Sequence, residues 1–271
     1  MSGAPLLEAR NLRKTFSASG GTFAVGTRRV IAVDDVSLEL AAGETLAIVG
    51  ESGSGKTTLA RMLLRLIEPD SGELLVEGHD FLGARGAALR ALRREMQMVF
   101  QDPFGSLDPR MRVAAIVGEP LEIHEPRLAR SARRERVMET LRAVGLGDDA
   151  VARYPHEFSG GQRQRIGIAR ALVLRPRLVV ADEPVSALDV SIGAQILELL
   201  QNLQREFSLT YLLISHSLPV VAQLATRIAV MQGGRIVETG TAAQVLGAPA
   251  HPYTKSLIAA IPALPLSALG T

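Results

Sequence analysis

A glycine-rich segment with the pattern G-x4-G-K-T constrains this chain more than any other feature of its sequence. It spans residues 50–57 and reads Gly-Glu-Ser-Gly-Ser-Gly-Lys-Thr. The apolar segment Thr45–Val49 precedes it and predicts a short strand, while the residues after it have helical spacing. In this context the backbone amides can wrap around an anion at the positive end of a helix. The pattern therefore predicts a phosphate-binding loop.

The side chains of this loop suit a nucleoside triphosphate with Mg²⁺. Lys56 is expected to bridge the β- and γ-phosphates, and the Thr57 hydroxyl to ligate the metal. Only three of the 30 basic residues are lysines, yet one lies in the loop, where a compact ammonium fits among phosphates better than a guanidinium. The alternative is a turn that only caps a helix. The residues expected to bind ATP here are Gly50, Glu51, Ser52, Gly53, Ser54, Gly55, Lys56, Thr57 and Thr58.

Two carboxylates follow another apolar segment, at residues 178–181. Ligands of parallel sheets bind at the carboxyl ends of the strands, so Asp182 and Glu183 are expected at a ligand site. We expect Asp182 to hold Mg²⁺ through water. We expect Glu183 to act as general base on the attacking water, a role worth about 10²–10⁴ in rate. Taken alone, an acidic pair in this position is more often a turn or a helix cap.

A second glycine turn opens a predicted helix at residues 163–174. It consists of Ser159, Gly160, Gly161 and Gln162. Such a turn can bind an anion at the helix N-terminus, although the simpler interpretation is an ordinary N-cap. Because one phosphate needs only one glycine loop, the second turn suggests a nucleotide that is held by another copy.

The order of these motifs resembles that of the ATPase subunits of ABC transporters. The phosphate loop, Gln101, the Ser-Gly-Gly-Gln turn, the acidic pair, Asp189 and His216 follow one another as in that family, and the resemblance covers nearly the whole chain. It implies a head-to-tail dimer with two ATP molecules, each gripped by one subunit's phosphate loop and capped by the other's signature turn. ATP and Mg²⁺ are the implied cofactors.

The same resemblance implies roles for single residues. His216 matches the histidine that contacts the γ-phosphate, and Gln101 matches the glutamine that touches Mg²⁺ and reports to the membrane subunits. Asp189 matches the residue that communicates across the dimer, and Phe16 best fits the aromatic ring that stacks on adenine. Without the resemblance, His216 would be interpreted as a structural histidine, Gln101 as a solvated glutamine and Phe16 as a core phenylalanine.

The expected fold is an α/β P-loop NTPase of the ABC type. It has a largely parallel sheet, an N-terminal antiparallel β subdomain and a helical insertion. The expected domains are an ABC ATPase domain at 1–248, with a helical subdomain at about 103–174, and a short tail at 249–271. Strands are expected at 6–16, 30–40, 45–49, 74–76, 96–100, 178–181 and 211–214, a connection at 17–26, and helices at 57–67, 129–144, 163–174, 192–207 and 219–225.

A narrower resemblance is to the oligopeptide/dipeptide/nickel importer group, in its F-type subunit. It rests on residues 99–110, on Tyr154–Glu157 and on the tail motif His251–Lys255. It implies uptake of di- or oligopeptides or a similar small solute, with nickel or another non-peptide solute as the alternative. The implied partners are a second ATPase subunit (a non-identical D-type paralogue, or a second copy of this chain), two transmembrane permease subunits and an extracytoplasmic solute-binding protein.

Composition excludes several other classes. The formal net charge is +2, Trp is absent and there are only three Tyr, so we expect no nucleic-acid partner. The absence of Cys excludes disulfides and thiolate metal sites. With no signal peptide and no apolar run of about 18 residues, we expect a peripheral protein on the cytoplasmic face of the membrane. The arginine cluster at residues 127–136 is interpreted as a solvated helix face.

Three rival interpretations remain. A soluble, non-transport ABC ATPase of translation or DNA repair would usually carry two cassettes or long coiled coils, which this sequence lacks. An exporter ATPase is disfavoured by the residues around Gln101 and by the tail. A nucleotide-binding scaffold without hydrolysis is disfavoured by Glu183 and His216. Specificity for the transported solute is expected to reside mainly in the extracytoplasmic binding protein and the membrane subunits.

Overall fold

The computed structural model describes residues 4–19, 27–102 and 105–260. The strands of these ranges are β1 (Leu7–Ser19), β2 (Thr27–Leu40), β3 (Thr45–Val49), β4 (Ser71–Val76), β5 (His79–Asp80), β6 (Met96–Val99), β7 (Leu178–Asp182), β8 (Thr210–Ser215), β9 (Arg227–Gln232) and β10 (Arg235–Thr241). The helices are α1 (Lys56–Leu63), α2 (Gly86–Glu95), α3 (Val113–His124), α4 (Arg130–Ala143), α5 (Gly160–Leu172), α6 (Val190–Phe207), α7 (Leu218–Leu224), α8 (Ala242–Gly247) and α9 (Pro252–Ala259). None of the helices in the described ranges is long and apolar enough to cross a bilayer.

The chain divides into two compact units. The first contains Met1–Ala84 and Leu212–Thr271, and the second contains Arg85–Tyr211. This division differs from the expected domains at 1–248 and 249–271, because those boundaries were drawn from sequence motifs and not from compactness. The expected domains stay a prediction.

The first unit contains an antiparallel sheet and a group of mixed strands. The antiparallel sheet has the order β2-β1-β4-β5. The mixed strands follow the order β10-β9-β3-β8, with β3 parallel to β9 and β10 antiparallel to β9. All five residues of β3 are buried, as expected for a strand with both faces covered. The phosphate loop begins where this buried strand ends.

The second unit pairs β6 with β7 in parallel and adds helices α2 to α6. The register aligns Met96 with Leu178 and Val99 with Ala181. The described residues of the stretch 105–174 form helices and two 3₁₀ turns, and no strand. Helix α3 buries an apolar face, and α4 buries Val137 and Leu141, which are four residues apart on one side of the helix. A helical segment therefore separates β6 from β7 along the chain.

The expected connection at residues 17–26 was wrong in its described part. Strand β1 continues to Ser19 and β2 begins at Thr27, with Ser17 paired to Arg29. Residues 20–26 lie outside the described ranges. Serine and glycine weaken strand propensity, but the ladder of backbone hydrogen bonds between two neighbouring strands can continue through them.

Helix α1 is shorter than the expected span of 57–67. It ends at Leu63, and Arg65 adopts a left-handed backbone with φ of 51°. The buried Arg65 guanidinium donates to the carbonyls of Phe81 and Ala84 at 2.9 and 2.7 Å. Pairing of this charge with distant carbonyls fixes the turn, and no local pattern in the sequence reveals those partners. Helices α2, α8 and α9 and strands β5, β9 and β10 were not anticipated, whereas α3 falls within the expected helical subdomain at about 103–174.

Candidate functional site

The phosphate loop lies in close contact with two neighbouring backbones. Gly50 has a φ of 152°, and a Cβ at this position would be 2.1 Å from the carbonyl oxygen of Met231 on β9. Gly55 has a φ of 105°, and its Cβ would be 2.0 Å from the carbonyl oxygen of Ala32 on β2. Only glycine fits such approaches without displacing backbone. The two glycines therefore fix the loop against β9 and β2.

Lys56 is the buried cation of this loop and is only 6% exposed. Its Nζ donates to the carbonyl oxygens of Gly50 and Glu51 at 2.8 and 2.7 Å, and to Ser54 Oγ at 3.4 Å. Hydrogen bonds from an ammonium are stronger than neutral ones, so this cation is held over the loop. Its N-cap neighbour Gly55 has no side chain to compete for the amides at the start of α1.

The remaining loop residues differ in exposure. Glu51, Ser52 and Gly53 are exposed, whereas Thr57 and Thr58 are half-buried.

The loop is also held by hydrogen bonds with Tyr253 on α9 and with Gly234 between β9 and β10. The amide of Glu51 donates to the hydroxyl of Tyr253 at 3.0 Å. The amide of Gly234 donates to the carbonyl of Ser54, also at 3.0 Å. The tail motif that contains Tyr253 is recognisable in the sequence, but its contact with the loop is not, because the partners are 202 positions apart.

Phe16 lies in a small exposed apolar patch rather than in the core. It is 40% exposed, it pairs with Val30 across the β1–β2 ladder, and Val30 and Ile31 are also exposed. The Lys14 ammonium lies 5.8 Å from the centre of the Phe16 ring. Ile31 precedes Ala32, whose carbonyl faces Gly55, so the patch borders the phosphate loop along β2.

His216 follows β8 and is exposed. The preceding turn is fixed by Ser215, whose Oγ accepts a hydrogen bond from the amide of Ser217 at 3.0 Å. Helix α7 begins directly after this turn, at Leu218. The short turn presents the imidazole at the end of a buried strand.

In the second unit, the structure brings Gln101 and Glu183 together. Strands β6 and β7 run parallel, so the residues that follow them emerge at the same edge. Nε2 of Gln101 donates to Oε2 of Glu183 at 2.9 Å. With its nitrogen engaged in this way, the amide oxygen of Gln101 is the atom that can ligate a cation. Asp182, the last residue of β7, is 3% exposed.

Glu183 has a strained backbone with a φ of 47°. A residue with a Cβ adopts this conformation at a cost of about 1–2 kcal/mol. The turn is held by Ser186, whose amide and hydroxyl both donate to the carbonyl of Glu183, at 3.2 and 3.1 Å. Such strain persists where surrounding contacts enforce it, and it is common at functional sites. Asp189 follows this turn as the exposed N-cap of α6.

The second glycine turn begins helix α5 with a capping box. Ser159 Oγ accepts from the amide of Gln162 at 3.4 Å, and Gln162 Oε1 accepts from the amide of Ser159 at 3.0 Å. Ser159 and Gln162 are exposed, and Gly160 and Gly161 are half-exposed. The N-terminus of this 13-residue helix thus faces outward, as a surface that contacts an external anion requires.

Arginines hold the segment before this turn. The guanidinium of Arg153 lies 4.2 Å from the centre of the Phe158 ring, and Nε of Arg163 donates to the carbonyls of Pro155 and Phe158. The arginines therefore order the approach to Ser159.

Some predicted features lie outside the described residues or make no site by themselves. Pro103 and Phe104 of the segment 99–110, and residues 261–271 of the tail, are outside the described ranges. Among residues 4–19, 27–102 and 105–260, no cluster of three or more His, Asp or Glu residues can hold a metal ion by itself.

Comparisons with protein families agree with the order of the motifs. A model described as ABC transporter matches residues 33–186, and one described as oligopeptide/dipeptide transporter, C-terminal region, matches residues 237–268. The chain is 53% identical to the probable peptide ABC transporter ATP-binding protein y4tS of Sinorhizobium fredii, over 95% of this chain and 72% of that protein. It is 51% identical to the dipeptide transport ATP-binding protein DppF of Lactococcus lactis, over 95% of this chain and 81% of the relative.

Solved structures agree as well. The ATP-binding cassette MJ0796, in a dimeric post-hydrolysis state bound to ADP and Pi, superposes with a TM-score of 0.76 at 29% identity, over 87% of this chain and 98% of that one. The protein cbiO1 from Clostridium perfringens gives a TM-score of 0.76 at 26% identity, over 90% of this chain and 92% of that one. These likenesses confirm the predicted α/β fold class.

Proposed function

Because this chain belongs to the family of ABC transporter ATPases, we propose that it hydrolyses Mg-ATP to drive the import of di- or oligopeptides. The observation that carries the proposal is the phosphate loop, which is fixed by two close glycine contacts and spanned by the buried Lys56. The peptide assignment is supported by the functions for which the relatives are named and by the match of the tail to the peptide-transporter family model.

The first unit supplies groups for nucleotide binding. The amides at the start of α1 and the Lys56 ammonium receive the phosphates, while the carbonyl of Gly50 keeps Lys56 in place. Thr57 provides a hydroxyl for the metal. Phe16, in its exposed apolar patch beside the loop, offers a ring on which adenine stacks.

The second unit supplies groups for hydrolysis. Glu183 accepts the proton of the water that attacks the γ-phosphorus, the bond from that phosphorus to the bridging oxygen breaks, and ADP leaves. Gln101 holds one carboxylate oxygen of Glu183, which orients the base. Asp182 and the amide oxygen of Gln101 are oxygen donors that suit Mg²⁺, which would offset the phosphate charge when bound. His216 donates a hydrogen bond to the γ-phosphate, the role that the family resemblance implies.

The exposed Ser159 turn caps a nucleotide held by another ATPase subunit. Its capping box and the arginines behind it keep the helix N-terminus ordered without covering it. Asp189 communicates across that dimer. The partners are a second ATPase subunit, a non-identical D-type paralogue in the favoured arrangement, with two permease subunits and an extracytoplasmic binding protein. The chain would then act at the cytoplasmic face of the membrane.

The general-base role is tested by Glu183→Gln. The amide keeps the shape of the side chain but cannot accept the proton, so we expect steady-state ATP hydrolysis to fall by about 10²–10⁴ while ATP still binds. The matched control is Glu198→Gln, a change at an exposed position of α6, which should leave turnover unchanged. If Glu183→Gln hydrolysed ATP as fast as the wild type, Glu183 would not be the general base.

The importer role is tested by capture and reconstitution. We expect the chain to co-purify with two permease subunits, and ATP hydrolysis by the complex in proteoliposomes to rise when peptide-loaded binding protein is added. If nickel-loaded binding protein stimulates hydrolysis and peptide-loaded binding protein does not, the transported solute is nickel rather than a peptide. Hydrolysis by a chain that captures no permease would favour the soluble, non-transport class.

A further inference from the structure

The tail segment Ala250–Ala259 contacts the phosphate loop through the side chain of Tyr253. Tyr253 lies in the first turn of α9 and is 9% exposed. Its hydroxyl oxygen accepts the hydrogen bond from the amide of Glu51 at 3.0 Å. None of the roles expected from the sequence belongs to Tyr253. The tail motif that contains it takes no part in the proposed hydrolysis of ATP.

The peptide unit between Gly50 and Glu51 is held at both ends. Its N–H points to Tyr253, and its carbonyl, that of Gly50, accepts from Lys56 Nζ at 2.8 Å. In a planar trans peptide the N–H and the carbonyl point in opposite directions. A group that fixes the direction of the N–H therefore also fixes the direction of the carbonyl, and with it one of the acceptors of the Lys56 ammonium.

The tail itself is anchored to the hairpin on which the loop packs. The Glu238 carboxylate on β10 accepts from the amides of Ala250 and His251 at 2.8 and 3.0 Å. His251 Nδ1 accepts from the amide of Tyr253 at 3.2 Å and so caps α9. A register shift in the β9–β10 ladder falls between Ile236 and Glu238. Such an irregularity redirects a side chain, here the one that receives the tail.

The hairpin of β9 and β10 also contacts the phosphate loop. The carbonyl of Met231 on β9 faces Gly50, and Met231 is paired with Ile236 of β10. The hairpin thus receives the loop on one strand and anchors the tail through the other. Both ends of the Tyr253–Glu51 hydrogen bond therefore belong to one connected substructure of the first unit.

We propose that Tyr253 is a positioning residue of the nucleotide site, which acts through the peptide unit 50–51 on Lys56. The tail and the loop are then coupled: an ordered tail favours the loop conformation that receives phosphate, and a bound nucleotide favours an ordered tail. This inference rests on the proposed role of the loop in ATP binding. Linkage requires that the two effects be equal in size.

The test is Tyr253→Phe in the full chain, with a fluorescent ATP analogue for affinity and with the reconstituted complex for kinetics. Loss of one hydrogen bond to the loop should raise Kd and KM for ATP about three- to tenfold. The value of kcat should stay within about twofold, because bound nucleotide reorders the loop. A merely structural change would instead lower the active fraction and kcat at an unchanged KM.

Tyr211→Phe is the matched control. Tyr211 is also buried, and its hydroxyl donates to the carbonyl of Leu200 at 3.1 Å, in the second unit. We expect its KM for ATP to equal that of wild type. An unchanged KM for Tyr253→Phe, or an equal rise in both variants, overturns the proposal. A wild-type chain that binds no ATP would instead overturn the proposed function.

A second measurement keeps the proposal testable if Tyr253→Phe does not fold. Hydrogen exchange of residues 250–259 in the wild-type chain should slow when ATP is added, and Glu238→Gln should diminish that response while raising KM. Exchange of the tail that is unchanged by saturating ATP contradicts the coupling.

Discussion

Gly53 and Gly55 have similar left-handed backbones but different surroundings. Gly53 has a φ of 81°, and a Cβ added there would have no neighbour within 4 Å, whereas at Gly55 it would lie 2.0 Å from the Ala32 carbonyl oxygen. We expect Gly53→Ala to lower the free energy of unfolding by about 1–2 kcal/mol through backbone strain alone. We expect Gly55→Ala to lower it by about 2–5 kcal/mol, because strain and overpacking add.

Urea denaturation of the two variants measures this difference. Equal losses in free energy of unfolding would mean that the contact with the Ala32 carbonyl relaxes at no cost, and that the loop is not fixed against β2.

At this scale, local chemistry predicts some residues well and others poorly. Lys56 and the Ser159 turn follow from short patterns, because their hydrogen-bond partners lie within a few positions. The strained backbone of Glu183 and the bond from Glu51 to Tyr253 depend on contacts that the neighbouring sequence does not contain. Candidate residues could therefore be named in advance, but the long-range contacts that hold them could not.

Glu238 makes the attachment of α9 sensitive to pH. Burial raises the pKa of this carboxyl, but the Thr254 hydroxyl, the amides of Ala250 and His251 and the charge of His251 together outweigh it, so that the pKa lies below its ordinary value of 4.5. A depressed pKa in the folded state means that the carboxylate stabilises the attachment fully above pH 4.5, and that this stabilisation is lost as pH falls through the folded-state pKa.

We expect protection of the amides 250–259, corrected for intrinsic exchange, to be higher in wild type than in Glu238→Gln at about pH 7. The difference should diminish and then vanish as the pH is lowered through the folded-state pKa of the carboxyl, which lies below its ordinary value. A difference that grows at low pH would mean that the carboxylate does not hold the tail.

The elements show why strands and helices were predicted unevenly. Strand β3 is a continuous apolar run, and its burial on both faces makes it recognisable. Helix α9 has only eight residues and is stabilised by Glu238 and His251 rather than by propensity, so its sequence resembles a simple tail. Strand β10 is half-exposed and carries no clear alternation.

For the whole molecule, the central expectation is that ATP joins this chain to a non-identical partner. Glu183→Gln is expected to bind ATP without hydrolysing it, so it should trap the joined state. We expect light scattering to show a monomer for Glu183→Gln with ATP alone, and a dimer when the D-type ATPase is added. A dimer formed by this chain alone would identify a homodimer as the functional state.

The distribution of lysines has a practical consequence for experiments on this molecule. Lys56 is buried and hydrogen-bonded, Lys14 is paired with Asp70 at 2.8 Å, and Lys255 is exposed on α9. Amine-reactive dyes, crosslinkers and sensor surfaces will therefore attach to side chains chiefly at Lys255, two residues from Tyr253. Immobilisation through amines perturbs the tail, whereas a single dye at Lys255 becomes a fluorescent reporter of its attachment.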